Sequence, residues 1–308
     1  MDEFGGRRSL EGLAPVRGAL KVTFRGPITG GSAIEGAGVS AILEPDEPPP
    51  FECVNGDGAG LAVLTCDHAS NRFPRRLGTL GLTEVEARSH IAWDPGASWV
   101  ARHLSREIDA PLVLSGYSRL VFDCNRPPGS PTAIPAVSGG IRVPGNEGLR
   151  EAEAKAREDA LLHPYQAAIA RLLDARARAG RPTVLLCVHS FTPDYPGEDR
   201  PWTIGLGYNR DRRLAALLLD ALRVEPGIVV GDNRPYGVDD ESDYTIPVQG
   251  ERRGIPHVLI EIRQDCIATP EAARGWAERL ARVFRRIEAD ALALASSPPT
   301  SMKSSTAP

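Results

Sequence analysis

Short apolar runs alternate with amphipathic segments along most of this chain. The runs LAVLTC, TVLLCVHSF and HVLIEI are rich in Val, Leu and Ile and lack a helical period, which is typical of buried strands. Between such runs, residues 97–108 place Val100, Leu104 and Ile108 on one face of an amphipathic helix. Strands separated by helices of this length indicate crossovers, so the pattern predicts an α/β fold with a mostly parallel sheet.

The rest of the pattern predicts more elements of the same two kinds. Residues 82–90 are expected to form a helix that begins with a capping box, because Thr83 can act as N-cap and Glu86 follows at the matching position. The segments PLVLSGYSRLVFDC and GIVVGDN are expected to supply further strands, the first of them one or two. Further helices are predicted over 147–179 (a break at Pro164 is left open), 211–224 and 270–294.

Changes in composition divide the chain into three parts. Residues 1–50 are rich in Gly and end in a Pro-rich stretch, so we predict a flexible N-terminal extension; an arm that packs on a partner subunit is the alternative. Residues 51–295 carry the strand and helix pattern and are expected to form a single catalytic α/β domain. Residues 296–308 are polar and are expected to be a disordered tail.

Composition excludes several classes of protein. A net charge of −4 and a pI of about 5.9 do not fit the basic surface of a nucleic-acid-binding protein. The apolar runs are far shorter than the roughly 20 residues of a membrane helix, and the N-terminus lacks the pattern of a signal peptide. Five cysteines in 308 residues do not form a disulfide framework. We therefore expect a cytoplasmic protein with buried free thiols, no nucleic-acid partner and no membrane partner; its oligomeric state stays open.

Three of the predicted strands end on residues that can bind or serve a metal. LAVLTC is followed by Asp67 and His68, TVLLCV by His189, and HVLI by Glu261. Because ligand sites of open α/β sheets lie at the carboxyl ends of strands, these side chains are expected to meet at one edge of one sheet. Two imidazoles and a carboxylate are typical of a hydrolytic zinc site. In this interpretation Glu261 is the general base; a buried ion pair with Arg263 or another arginine is the alternative.

The third metal ligand is less evident from the sequence. Asp94 is our choice, although a residue just before a predicted helix can also be a simple N-cap. Asp67 and Asn71 compete for the same role. A neutral amide is a poor zinc ligand, which disfavours Asn71.

Arginines suggest how a substrate is held. Arg119 and Arg126 flank a dense polar segment, and planar guanidinium groups suit carboxylates. Arg234 and Arg263 are candidates for further positive charge at the same edge, so we expect a small acidic substrate. Pairing of the first two with Asp123 or Asp94 is the structural alternative. The loop 127–146, rich in Pro and Gly, is expected to act as a lid or binding loop.

Five motifs in chain order resemble the N-formylglutamate amidohydrolase family, over roughly residues 55–290. They are Cys66-Asp67-His68-Ala69-Ser70-Asn71, Asp94-Pro95-Gly96-Ala97, Ser118-Arg119 through Asp123-Cys124-Asn125-Arg126-Pro127, His189-Ser190-Phe191-Thr192-Pro193 and Glu261-Ile262-Arg263-Gln264-Asp265. The resemblance implies a three-layer α/β/α sandwich related to zinc carboxypeptidases, with a mixed central sheet. It also implies hydrolysis of N-formyl-L-glutamate to formate and glutamate, late in histidine degradation.

The resemblance also assigns roles to residues. His68 and His189 match the metal-binding histidines, and Glu261 matches the catalytic glutamate. Asn125 and Arg126 resemble the pair with which carboxypeptidases hold a substrate carboxylate. Those enzymes carry a Glu three residues after the first His, where this chain has Asn71.

The leading hypothesis is therefore an amidohydrolase with one zinc ion per chain. Glu261 would be the base, Arg119 would help to stabilise the oxyanion, and Arg126 would hold a carboxylate, helped by Asn125 and by Arg263 or Arg234. One alternative is a metal-dependent amidase or peptidase that cuts another acyl amino acid or a cell-wall peptide. An alternative of another class is a non-enzymatic binding protein for an acidic metabolite. A cysteine hydrolase is disfavoured, because thiols inside strands are poor nucleophiles.

Overall fold

A mixed sheet of seven strands forms the centre of the part of the chain that the structure describes. The structure, a computed structural model, describes residues 42–297. The strands of the sheet and of a separate hairpin (β4 and β5) are, in chain order, β1 (Phe51–Val54), β2 (Ala62–Cys66), β3 (Leu112–Ser115), β4 (Val137–Ser138), β5 (Ile141–Arg142), β6 (Val184–Phe191), β7 (Ile204–Gly207), β8 (Val230–Asp232) and β9 (His257–Arg263). The α-helices are α1 (Glu84–Arg88), α2 (Ala97–Glu107), α3 (Glu151–Arg157), α4 (His163–Arg178), α5 (Arg213–Arg223) and α6 (Pro270–Ser296).

The strand order places the three predicted functional strands side by side. The sheet runs β1-β3-β2-β6-β9-β7-β8. The four strands β3, β2, β6 and β9 are parallel, whereas β1 and β7 are antiparallel to their neighbours in that group. The prediction of a mostly parallel, mixed sheet is therefore confirmed, and β2, β6 and β9 end at the same edge.

Helices cover both faces of this sheet. In β6, Leu186 and Val188 pack into a core that contains the apolar residues of α2, α5 and α6. Leu185 and Cys187, which alternate with them, pack into a second core with α4. Alternate strand residues thus point to opposite faces. The result is the three-layer α/β/α arrangement that the sequence predicted.

The α-helices agree with the sequence pattern, except over 147–179, where the longest helix was predicted. The predicted capping box is present, since Thr83 accepts from the backbone N–H of Glu86 and the Glu86 side chain accepts from that of Thr83. The segment expected to be a helix over 147–179, with a break at Pro164 left open, is helical without interruption over 151–178 but changes from α3 through a π-helical turn (Glu158–Leu162) to α4. Pro164 follows this π-helical turn, which accommodates the loss of the hydrogen bond that proline cannot make.

The segment 111–124 contains one strand, β3, and no second one. Tyr117, Leu120, Val121 and Phe122 follow it in turns and are buried in the core that α4 shares. These residues are apolar because they pack in the core. The apolar run in this segment therefore does not correspond to a second strand.

Some strands had no clear signal in the sequence. The sequence of β7 is IGLG, and its two Gly residues interrupt the apolar run that would otherwise indicate a strand. Gly205 is required there, because a Cβ atom would lie 1.9 Å from the carbonyl oxygen of Arg234. β1 and the β4–β5 hairpin, which lies inside the loop 127–146, were not predicted either.

The ends of the chain are described only in part. Residues 1–41 and 298–308, to which most of the predicted extension and tail belong, lie outside the described residues. The last residues of the extension contact the domain: the Tyr117 hydroxyl donates to the carbonyl of Pro48 at 2.7 Å, and the N–H of Gly116 donates to that of Pro50 at 2.8 Å. Within 42–297, no helix has both the length and the apolarity that crossing a bilayer requires.

Candidate active site

The three strand ends bring their functional residues together. His68 follows β2, His189 lies in β6, and Glu261 lies in β9, where it is the register partner of His189. The rings of the two histidines are 4.9 Å apart between centroids, and both are buried. The predicted meeting of these side chains at one edge of the sheet is therefore what the fold produces.

Asp94 completes a candidate metal-binding triad with the two histidines. One ligand atom from each of His68, Asp94 and His189 lies within 4.8 Å of the other two. Asp94 Oδ2 is 3.3 Å from Nδ1 of His68 and 2.9 Å from Nδ1 of His189. Asn71 instead donates to the backbone carbonyl of Ala87 at 3.4 Å.

The chemistry of these donors fits a divalent cation. Nε2 of His68 lies 2.7 Å from Asp123 Oδ1, and Nε2 of His189 lies 2.9 Å from Asp67 Oδ2. An ionised carboxylate can only accept, so each Nε2 donates to the carboxylate behind its ring, and Nδ1 of each ring is the nitrogen that faces Asp94. Without a metal, protons on the two Nδ1 atoms satisfy Asp94; a divalent cation would replace these protons and be bound by both Nδ1 atoms and the carboxylate. Imidazoles that donate to carboxylates in this way are characteristic of metal ligands, and N,N,O donor sets suit zinc.

Asp67 and Asp123 accept hydrogen bonds from the two histidines, a role that the sequence did not predict. The sequence makes Asp67 a candidate metal ligand. In the structure its Oδ1 accepts from the hydroxyls of Tyr165 at 2.7 Å and Thr245 at 2.8 Å. The sequence suggests Asp123 only as an ion-pair partner for an arginine. The structure contains that pair, because Nη2 of Arg119 is 2.7 Å from Oδ2 of Asp123. The position of Asp67 directly before His68 is the one available signal; Tyr165 and Thr245 have none.

Burial and mutual contact shift the ionisation of these groups. Burial by itself would lower the pKa of the His189 imidazole, but Asp67 and Asp94 reverse this and hold the pKa well above its usual value. The pKa of His68 is also raised, since Asp123 and Asp94 outweigh burial and Arg119. Burial favours the neutral form of Asp94, yet the two histidines hold its pKa far below the usual range.

Glu261 is placed for proton transfer. It lines a cavity of about 230 Å³ together with both histidines and Asp94, and its buried Oε2 has no hydrogen-bond partner among the described residues. Burial raises the pKa of its carboxyl to about 7. A carboxylate with such a pKa is matched to work as a base near neutral pH. The Arg263 guanidinium binds Asp265, and within residues 42–297 no arginine lies within ion-pair distance of Glu261, so the structural alternative for this carboxylate is not what the fold produces.

Two of the four candidate arginines line the cavity. Arg119 does so while bound to Asp123, the structural alternative given for it above, and Arg126 lines the cavity together with Asn125. Arg263 does not line it; its guanidinium binds Asp265 and the carbonyls of Arg200 and Pro201. Arg234 is exposed and does not line it either.

Asn125 is held firmly by its neighbours. Its side-chain N–H donates to Asp243 at 2.9 Å, and its Oδ1 accepts from the backbone N–H groups of Tyr244 and Thr245. Its amide therefore fixes the segment that follows β8 against the segment that follows β3.

Some of the other lining residues, Ser190, Phe191, Thr192 and Gln264, belong to the motifs that the sequence singled out, whereas the rest do not. The whole set is contributed mainly by the ends of β6 and β9 and by the segment after β8, as His90, Ser190, Phe191, Thr192, Tyr236, Gly237, Ser242, Asp243, Leu259 and Gln264. No residue of 127–146 is among the described lining residues, although Gly139 of that loop packs against His90 and Ile91. The described cavity is therefore lined without this loop, whose role as a lid stays a prediction.

The cysteines take no part in this site. Cys66, Cys124 and Cys187 are buried and free, and burial raises the pKa of each thiol well above its usual value. The argument against a cysteine nucleophile is therefore confirmed for these three.

Known proteins resemble this chain in sequence and in fold. The chain matches the family model of N-formylglutamate amidohydrolase over residues 61–268, more than half of its length. A solved gene product of Agrobacterium tumefaciens is 38% identical, with a TM-score of 0.78 over 81% of this chain and 98% of that one. The N-formylglutamate amidohydrolase of Ralstonia eutropha is 18% identical, with a TM-score of 0.56 over 78% of this chain and 99% of that one, a likeness of fold. Among curated proteins, none matches the chain. By its sequence, this chain belongs to the N-formylglutamate amidohydrolase family.

Proposed function

We propose that the protein is a zinc-dependent hydrolase of the amide bond of small N-acyl amino acids. The single observation that carries the proposal is the meeting of the His68–Asp94–His189 triad with Glu261 and Arg126 in one small cavity. Family membership offers N-formyl-L-glutamate, cleaved to formate and glutamate, as the first substrate to assay.

In this mechanism His68, His189 and Asp94 would hold one zinc ion. When bound there, zinc would supply a Lewis acid that polarises the carbonyl and lowers the pKa of water. Glu261 takes a proton from the attacking water and passes it to the leaving nitrogen. Arg119 is held near the same centre by Asp123, from where its remaining N–H groups can stabilise negative charge on the carbonyl oxygen.

Arg126 would hold the α-carboxylate of the substrate. Its guanidinium lines the cavity and is fixed by the carbonyls of Asn125 and Ser242. A guanidinium held in this way loses little conformational freedom when it binds a carboxylate, which favours a defined orientation of the amide.

The direct test combines metal content with formate release. Glu261→Gln should keep the metal, because Glu261 is not a member of the triad, and should lower kcat by about 10²-fold or more. Glu288→Gln, an exposed position in α6, is the matched control and should have wild-type activity. Full activity of Glu261→Gln would show that the base has been assigned wrongly.

Two other functions predict different results. A peptidase acting on a cell-wall peptide is disfavoured by a cavity of about 230 Å³, which is below the roughly 300–1,000 Å³ common for larger ligands. Substrate profiling with acylated dipeptides would reveal it. A non-enzymatic binding protein for an acidic metabolite would contain no zinc after purification and would gain no activity on its addition.

A further inference from the structure

The Asp67 carboxylate lies behind His189 and is buried without an arginine or lysine partner. Its side chain is 0% exposed, and within residues 42–297 its ion-pair partner is His189 alone, at 2.9 Å. Asp123, which accepts from His68 in the same way, is neutralised by Arg119. A buried carboxylate without such a cation depends on hydrogen-bond donors for its stability and its orientation. The donors that reach Asp67 therefore affect how His189 is held.

Two hydroxyl groups supply these donors. Tyr165 and Thr245 both donate to Oδ1 of Asp67, at 2.7 and 2.8 Å, while Oδ2 accepts from Nε2 of His189 at 2.9 Å. Both hydroxyl-bearing residues are buried. Because hydrogen bonds are directional, two donors on one oxygen fix the plane of the carboxylate and direct its other oxygen at the imidazole.

A line of side chains fixes the direction of the Thr245 hydroxyl. Nε of Arg253 can only donate, so its partner at 3.1 Å is the carbonyl oxygen of the Gln249 amide. The amide nitrogen of Gln249 then donates to Oε1 of Gln166 at 3.1 Å, and Nε2 of Gln166 donates to Oγ1 of Thr245 at 2.8 Å. Since the Asp67 carboxylate can only accept, the one proton of the Thr245 hydroxyl points to it. Every donor in this line is thus directed toward the candidate metal centre.

Both hydroxyl donors adjoin a π-helical turn. Tyr165 follows the turn Glu158–Leu162, and Thr245 directly precedes the turn Ile246–Gly250. These two are the π-helical turns in the part of the chain that the structure describes. Such turns are rare and frequently occur at functional sites. At both places, therefore, the departure from α-helical geometry lies next to a residue that holds Asp67.

We propose that Tyr165 and Thr245 are positioning residues of the candidate metal centre and act on His189 through Asp67. With the carboxylate fixed, the His189 ring keeps Nε2 on Asp67 and keeps Nδ1 facing the other two members of the triad. Without the hydroxyls, the carboxylate is free to turn, and the ring loses the orientation that a metal ligand requires. The inference rests on the proposed zinc site and adds to it two residues outside the triad.

Removing each hydroxyl with little change of shape tests the proposal. Competition of the full-length protein with a chromogenic chelator measures zinc affinity, which should fall by about 10-fold in both Tyr165→Phe and Thr245→Val. Thr245→Ser keeps a hydroxyl and should restore the wild-type affinity. Tyr208→Phe is the matched control, because it removes a hydroxyl that donates to Asp232 at 2.8 Å, outside the described lining of the cavity. That change should leave zinc affinity as it is.

A double substitution shows whether the hydroxyls act through Asp67. In an Asp67→Asn background the carboxylate is already absent, so Thr245→Val should lower zinc affinity by no more than about 2-fold further. Full additivity of the two losses overturns the positioning role. So does a loss in Thr245→Val that Thr245→Ser does not reverse, or an affinity of both single variants within about 2-fold of the Tyr208→Phe control.

A second measurement needs no metal. In metal-free protein with isotope-labelled histidine, NMR follows the exchange with water of the Nε2 proton of His189, which is identified by its loss in His189→Gln. We expect this exchange to be faster by about 10-fold or more in Tyr165→Phe and Thr245→Val, and unchanged in Thr245→Ser. Equal rates in all of these proteins overturn the positioning role.

The two measurements separate this inference from the proposed function. A wild-type protein that binds no zinc overturns the zinc-dependent hydrolase, and the exchange of the His189 proton then decides the positioning role by itself. A wild-type protein that binds zinc but hydrolyses no N-acyl amino acid overturns the hydrolysis alone, and the affinities still decide the positioning role. Circular dichroism checks that each variant folds; if Thr245→Val does not, Tyr165→Phe serves for both measurements and for the Asp67→Asn background.

Discussion

At the scale of single residues, the site depends on carboxylates that fix the histidines. Asp67 and Asp123 determine which ring nitrogen of His189 and of His68 carries the proton, and so leave the two Nδ1 atoms for a metal. The two are supported differently. Asp123 is neutralised by Arg119, whereas the described partners of the Asp67 carboxylate are hydroxyls and its histidine.

Replacing Asp67 with Asn tests this role. The amide is similar in shape but carries no charge, so we expect Asp67→Asn to lower zinc affinity by about 10–100-fold. Competition with a chromogenic chelator measures the affinity. Asp265→Asn, which removes an exposed carboxylate that binds Arg263, is the control and should leave affinity unchanged. If the two variants bind zinc equally well, Asp67 does not support the metal ligand.

At the scale of elements, the start of α2 positions Asp94. The backbone N–H of Asp94 donates to the carbonyl of His68 at 3.0 Å, and Gly96 begins the helix with a φ of +81°. A Cβ atom on Gly96 would lie 2.5 Å from the carbonyl oxygen of Ile267, in the segment that leads into α6. The third ligand therefore depends on a close approach of backbones that only glycine permits.

Gly96→Ala should accordingly be costly. The left-handed backbone and the close contact together should lower the free energy of unfolding by about 2–4 kcal/mol, and the shift of Asp94 should weaken zinc binding. Gly275→Ala is the control, because Gly275 lies in α6, where an added Cβ atom would have open space within 4 Å. That change should be neutral or stabilising by up to about 1 kcal/mol. Urea denaturation of both variants measures the difference, and equal midpoints would contradict it.

At the scale of the whole molecule, metal binding and folding are linked. A metal that binds the folded protein alone adds about 2.7 kcal/mol of stability at 100 times its Kd, which corresponds to a rise in Tm of roughly 4–5 °C for a protein of this size. Chelation should reverse that rise. The linkage arises because the triad spans β2, β6 and the start of α2, which are adjacent only in the folded chain.

The stabilisation by zinc should also depend on pH. The pKa values of His68 and His189 are raised in the folded protein, so below the usual imidazole pKa near ~6.5 protons stabilise the metal-free fold and compete with the metal. As pH rises through the raised pKa values, this proton-linked stability is lost and the competition ends. The rise in Tm caused by zinc should therefore grow from pH 6 toward pH 9, as followed by thermal scans with and without metal. A constant rise would contradict the proposed ligands.

The sequence by itself determined the local features of this protein. Buried strands need apolar residues at successive positions, so β2, β6 and β9 could be recognised, and helix signals such as the capping box at Thr83 depend only on near neighbours. Because strand ends collect functional residues, His68, His189 and Glu261 could be singled out before their neighbours were known.

Only the tertiary structure decided which groups act together. The pairing of Asp67 with Tyr165 joins residues 98 positions apart, and that of Asp67 with Thr245 joins residues 178 apart; no local pattern encodes such contacts. The same holds for Arg234 and Arg263, whose exclusion from the cavity depends on where β8 and β9 place them. Local sequence fixes hydrophobic period and capping, whereas hydrogen-bond partners, burial and the free charge of an arginine arise from packing of distant segments.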